Sequence, residues 1–212
     1  MKKTIALVSS ILISSSLYAD PSQGAYVGLG LGSSIFNDGG YSDDLKTYAI
    51  NNGSTITITD DYSSQGLKLY AGYQINRVVG VEVSYIDYGT HTLKASTSTM
   101  ELNPTSIGIA ANVGYSIGEN AEYRPFAILG VSSVNMNENG TIKAYDDSST
   151  TAFKFGVGFE YYPVKLAGFG FRVAYEGDFY TVKDTNPSNI PELKDSYSNS
   201  LSMFYIGASY KF

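Results

Sequence analysis

Cysteine and tryptophan are missing from the 212-residue chain, histidine occurs once and proline six times. The first absence excludes a disulfide framework. Basic residues are also scarce, 14 against 20 acidic ones, a balance that argues against nucleic acid as a partner. Beyond the first nineteen residues no stretch reaches the roughly 20 consecutive apolar residues of a membrane-spanning helix. The lone histidine, His91 in "GTHTLKAS", leaves little material for a nucleophile with an adjacent base. At the outer end of a hairpin, it reads as a solvated surface residue.

What is present begins with a leader. Lys2 and Lys3 form a basic n-region, "TIALVSSILISSSL" an apolar h-region, and Ala19 a small residue at a cleavage site. The expected division is a signal peptide over 1–19 and one domain over 20–212. Residue 20 is Asp rather than Cys, which argues against a lipoprotein. Removing Lys2 and Lys3 leaves 12 basic residues against 20 acidic ones, a net charge of about −8 on the mature chain.

The rest of the chain alternates. In "SLSMFYIGASYKF" every second residue from Phe204 is apolar or aromatic, namely Phe204, Ile206, Ala208, Tyr210 and Phe212, with Tyr205, Gly207, Ser209 and Lys211 between them. A period of two is a strand signature. Seven earlier runs repeat it: "AYVGLGLG", "LKLYAGYQ", "VVGVEVSYIDY", "SIGIAANVGYS", "PFAILGVS", "AFKFGVGFEYY" and "GFGFRVAYEGDF". One face of every run is free of charge. The other holds Lys68, Lys154, Arg172 and Lys211 with Glu82, Glu160, Glu176 and Asp178, four of each sign.

A soluble sandwich would hide its apolar face and expose its charges. Here every strand also carries a polar side that needs shelter. In hydrocarbon each backbone N–H and C=O must be paired internally, so a sheet spans a membrane only if it closes without an edge. The fold expected is therefore all-β, an eight-stranded antiparallel up-and-down transmembrane β-barrel with an apolar exterior and a polar lumen. Tyr73, Tyr115, Tyr161, Tyr210 and Phe212 near the short turns, and Tyr85, Tyr175 and Phe179 toward the long loops, fit two interfacial girdles.

Connection lengths orient the barrel. Turns near Asn76, Gly118 to Asn120 and Pro163 to Lys165 are short, whereas connections at about 37 to 64, 89 to 103, 135 to 151 and 181 to 199 are long. Short turns face the periplasm in outer-membrane barrels, which puts both mature termini there. Asn52-Gly53 and Asn139-Gly140, each between strand-like runs, read as hairpin tips. Acidic pairs at Asp43-Asp44, Asp60-Asp61 and Asp146-Asp147 lack the ligand spacing of a calcium loop and read as solvated charges. Lumen-facing glycines, among them Gly28, Gly30, Gly72, Gly156, Gly158 and Gly170, read as room for water.

"AGYQINRVVGVEVSYIDYG" resembles the second hairpin of the OmpA-type transmembrane domain, and "NVGYSIG", "GFEYYPV" and "FRVAYE" resemble its later hairpin pieces in the same order. The resemblance ends at strand eight, so the peptidoglycan-binding domain of full-length OmpA-type proteins, and a cell-wall tether, are not implied. It does imply a lumenal ion-pair plug, with Glu82, Glu160 and Arg172 at matching positions and Lys68, Lys154 and Glu176 beside them. Asn112 stands where lysine is usual. Lys68 or Lys154 is then expected to replace that cation, failing which two carboxylates compete for Arg172 and leave a proton-sensitive plug. The resemblance also implies an assembly signal at Tyr205, Gly207, Tyr210 and Phe212, read by the barrel-assembly machinery.

The role expected is structural and surface-exposed, with loops available for adhesion or environmental contact. The alternative is a narrow, porin-like pore for small solutes or ions. The expected partners are outer-membrane lipid and lipopolysaccharide, the assembly machinery during biogenesis, and a host or surface ligand at the loops. A monomer is expected, with no enzyme activity, no cofactor and no metal.

Overall fold

In the computed structural model, the described residues are 22–53, 58–61, 63–95, 98–120, 122–140, 149–183, 194 and 196–212. The leader over 1–19 lies outside them. Eight strands close into one antiparallel barrel: β1 (Gly24–Asn37), β3 (Ser63–Gln74), β4 (Val79–Asp87), β7 (Thr105–Gly114), β8 (Tyr123–Asn135), β10 (Ser149–Tyr161), β11 (Phe169–Lys183) and β12 (Ser196–Lys211). They follow one another around the wall in chain order, and β1 pairs with β12 to complete the ring. The remaining strands, β2 (Ile58–Asp61), β5 (His91–Ala95), β6 (Ser98–Leu102) and β9 (Glu138–Gly140), make a four-stranded antiparallel sheet beyond the long-loop end.

The parity of the sequence survives closure. Leu29, Leu31, Val83, Ile109, Leu129, Val157, Val173 and Ile206 are exposed on the outside. Their strand neighbours Tyr26, Lys68, Glu82, Asn112, Glu160, Arg172 and Tyr205 are buried inside. Every lipid-facing phenylalanine on a strand belongs to β10, β11 or β12, namely Phe153, Phe155, Phe159, Phe169, Phe171, Phe179 and Phe204. Across the barrel, β3, β4 and β7 present Leu, Val, Ile and Ala, with aromatic rings only at the girdle positions Tyr73 and Tyr85. Rings gather at the short-turn end, where Tyr123 stacks on Tyr161 at 4.9 Å and Tyr210 meets Phe169 and Phe212 edge-on at 4.9 and 5.0 Å.

Two loop expectations need correction. Asn52-Gly53 is not a hairpin tip; it ends a helix, α1 (Tyr41–Asn51). The Asn52 N–H donates to the Tyr48 carbonyl, and Gly53 takes the left-handed φ of 70° that side chains resist. Asp38 opens α1 by accepting from the N–H groups of Gly40 and Ser42 at 3.0 Å each. Asn139-Gly140 lies within β9, paired with Glu101 and Met100. An Asn-Gly pair suits a helix stop as well as a two-residue turn, and flanking residues decide between them.

α1 also straps the ring shut. It leaves the end of β1 and lies against the start of β12, where Tyr41 packs edge-on to Tyr197 at 5.2 Å. The Tyr197 hydroxyl donates to Asp44 at 3.0 Å, and Lys194 reaches the same carboxylate at 3.2 Å.

Candidate functional site: the charged lumen

Cross-strand pairing puts the charges in contact. Glu160 of β10 sits directly opposite Arg124 of β8 on one side and Arg172 of β11 on the other. Arg124 Nη1 lies 3.2 Å from Glu160, and Arg172 donates to Glu160 from Nη2 at 2.6 Å and Nε at 3.0 Å. The remaining Arg172 nitrogen, Nη1, reaches Glu82 at 2.8 Å. Lys68 then joins Glu82 at 2.8 Å to Glu176 at 2.5 Å. The result is a chain of six alternating charges, Arg124, Glu160, Arg172, Glu82, Lys68 and Glu176. Lys154 and Asp178, opposite each other on β10 and β11, form a separate pair at 2.9 Å nearer the long-loop end.

Aromatic side chains complete the network. Tyr26 donates to Glu82 at 3.0 Å, Tyr205 to Glu176 at 2.5 Å and Tyr88 to Asp178 at 2.7 Å. The Arg172 guanidinium lies 3.9 Å from the Tyr70 ring centroid and 4.8 Å from that of Phe126, so it is held between two rings as well as two carboxylates. Buried ions are tolerated where geometry is good and each is paired and hydrogen-bonded. Four cations and four carboxylates are balanced here. In the turn after β10, burial pushes the Tyr162 phenol well up, which keeps it protonated; its hydroxyl lies 3.0 Å from that of Ser209.

Arg124 was not among the residues read from the sequence. It precedes Pro125, and a proline reads as the start of a strand rather than its interior. The strand nevertheless begins at Tyr123. Pro125 falls where the ladder to β7 ends: Gly114 is the last paired residue of β7, and only the Tyr115 N–H donates to the Pro125 carbonyl. The missing proline N–H therefore costs one bond, the return donation to the Tyr115 carbonyl, at the rim where the ladder is already ending. Arg124 also supplies what Asn112 lacks, donating from Nη1 to the Asn112 side-chain oxygen at 2.7 Å and from Nη2 to its carbonyl at 3.1 Å. The cation expected from Lys68 or Lys154 comes for Glu160 from Arg124, while Lys68 serves Glu82 and Glu176. Alternating parity extended one residue pair before Pro125 would have found it.

The lumenal glycines do not enclose free space. A Cβ on Gly28 would lie 2.2 Å from the Tyr70 ring, on Gly30 2.5 Å from Tyr205, on Gly72 2.4 Å from Tyr26, on Gly158 2.5 Å from Phe126 and on Gly170 2.4 Å from Tyr162. On Gly156 it would meet Glu176 Cγ at 2.5 Å. These glycines make room for rings and the ion chain rather than for water.

At the long-loop mouth the lumen turns apolar. Phe36, Ile86, Leu102, Val134, Met136, Leu201 and Met203 are all buried in one cluster. Leu102 comes from β6, so the second sheet contributes to this stopper. His91 belongs to the same region: it is buried, not solvated, with Nε2 3.4 Å from Ser34 Oγ and its ring 6.0 Å from that of Phe36. It is buried because β5 and β6 prolong the β4–β7 wall beyond the membrane, and His91 keeps the inward side of that wall, facing Ser34 and Phe36 of β1.

An outer membrane protein beta-barrel domain family matches the chain over residues 4–212. The chain belongs to that family. Its fold is shared with the outer membrane protein OprG from Pseudomonas aeruginosa, at 14% identity and a TM-score of 0.53 over 90% of this chain and 98% of that one. Neisserial surface protein A aligns at 15% identity and 0.51 over 89% and 97%. The outer membrane protein AlkL aligns at 15% and 0.50 over 93% and 94%. No match is found among curated proteins. The protein is thus an outer-membrane β-barrel, in keeping with the OmpA-like resemblance of its hairpins.

Proposed function

We propose that this barrel is a closed anchor that presents α1 and the second sheet to the cell exterior, for adhesion or contact with the environment. The observation that carries the reading is the lumen, filled by a balanced ion chain and by an apolar stopper to which the second sheet itself contributes Leu102. A wall so closed leaves the loop-borne elements as the part free to meet a partner. In this reading the long-loop end faces outward, both mature termini face the periplasm, and the protein is a monomer without enzymatic activity. Tyr205, Gly207, Tyr210 and Phe212 serve the barrel-assembly machinery, and Lys68, Glu82, Lys154, Glu160, Arg172 and Glu176, with Arg124, serve as the plug.

Single-channel recording of the refolded mature chain in planar bilayers tests the closed anchor. Silence from wild type and from Arg172→Ala, with folding verified by a heat-modifiable gel shift, is the expected result. Steady openings altered by Arg172→Ala would replace this reading with a narrow pore for small solutes or ions.

A further inference from the structure

The outward surface of β4, β7 and β8 changes character in registered rows as it leaves the membrane. Tyr85, Ile107 and Ser133 share one row, with Ile107 exposed at 66%. Asp87, Thr105 and Asn135 form the next. Thr90, Asn103 and Asn137 follow, and then Thr92 and Glu101, joined through β5 and β6. Two residues along a strand tilted by about 40° climb roughly 5 Å. The headgroup zone on each side of the hydrocarbon is about 5 to 8 Å deep. The first polar row therefore falls in that zone and the higher rows just beyond it.

The middle rows are a locked set of amides and hydroxyls. The Thr90 hydroxyl donates to the Asn103 side-chain oxygen at 2.6 Å. Asn137 Nδ2 donates to the Asn103 carbonyl at 3.0 Å and to the Thr105 hydroxyl at 3.2 Å, and the Asn137 N–H donates to the Asn135 side-chain oxygen at 3.0 Å. Among the described residues, Asn137 is one of two non-glycine residues with positive φ, at 43°. These bonds leave the amide nitrogens of Asn103 and Asn135 and the amide oxygen of Asn137 available on a half-buried to exposed surface. The four rows contain no lysine or arginine, and Asp87 and Glu101 disfavour phosphate. Paired amide donors and acceptors match the vicinal hydroxyls of a neutral sugar.

We propose that this face, centred on Asn103, Asn135 and Asn137, binds the sugar chain of the glycolipid surrounding the barrel in its own leaflet. The occupant is a glycolipid rather than a free glycan because the face points sideways, continuous with the lipid-covered wall below it. The proposal rests on the outward orientation of the long-loop end and on nothing else in the functional reading.

The test uses the full mature chain in phospholipid nanodiscs, titrated with core oligosaccharide released from lipopolysaccharide and, separately, with inorganic phosphate. Side-chain amide resonances of Asn103, Asn135 and Asn137 are expected to shift with the oligosaccharide and not with phosphate, while Asn76 in the opposite turn stays unmoved. Asn103→Ala combined with Asn137→Gly, which tolerates the positive φ, is expected to weaken binding about tenfold while the gel shift of the folded barrel persists. No amide shift in the wild type, a response to phosphate alone, or undiminished binding by the variant would each overturn the sugar site. Labelling of Asn52→Cys on intact cells by an impermeant thiol reagent reads orientation separately. An unlabelled cysteine would sink the outward placement and with it the leaflet assigned here, whatever the titration shows.

Discussion

Arg172 touches two carboxylates and three aromatic rings, so replacing it changes packing as well as charge. Arg172→Ala is expected to destabilise the barrel by about 3 to 5 kcal/mol, read from urea unfolding in lipid vesicles. Arg172→Lys, which keeps the charge but loses the planar fork and its stacking, should recover only part of that. Gly158→Ala should cost about 1 to 3 kcal/mol by overpacking, since the new methyl meets both Phe126 and Ala174 within 2.6 Å. Strand parity made the lumenal positions of Lys68, Glu82, Glu160, Arg172 and Glu176 legible before any coordinates. Arg124 was hidden by its proline neighbour. His91 is not legible as a buried residue because local sequence does not show that β5 prolongs the barrel wall and faces it toward Ser34 and Phe36, more than fifty residues away in the chain.

At the scale of elements, the eight wall strands were readable because each must satisfy lipid on one side and polar neighbours on the other, which imposes an uninterrupted period of two. Placing Arg at Leu129 or Val157 is expected to cost about 2 to 4 kcal/mol near the midplane, again by urea titration in vesicles; no penalty would mean that these side chains do not face lipid. The elements beyond the membrane answer to no such two-sided constraint. Residues 41–51 carry no strong stripe, and only Asp38 and Gly53 at their ends mark them as α1. Tyr197→Phe removes the hydroxyl that holds Asp44. It should release α1 to proteolysis while changing barrel stability by no more than about 1 kcal/mol, as expected of exposed polar contacts.

For the whole molecule, the ion chain and the apolar stopper close the same lumen at different heights. The two meet where Glu176 stands opposite Met203, but the stopper continues beyond that row to Phe36, Leu102 and Met136, which is why Arg172→Ala alone is expected to leave the barrel silent. Deleting Phe212 addresses the remaining whole-chain question: if the terminal run is the assembly signal, surface levels of the shortened protein should fall sharply while the same chain still refolds in vesicles. The exterior carries a different kind of information. With the lipid-facing strand phenylalanines confined to β10, β11 and β12 and branched aliphatics opposite between the girdle rings Tyr73 and Tyr85, rigid planar rings press on the acyl chains along one flank and small flexible groups along the middle of the other. Rotated about its own axis, the cylinder does not look the same to its surroundings. In a sheet of lipid with no preferred direction, it has a heading, and neighbours drifting past meet either a stiff side or a soft one.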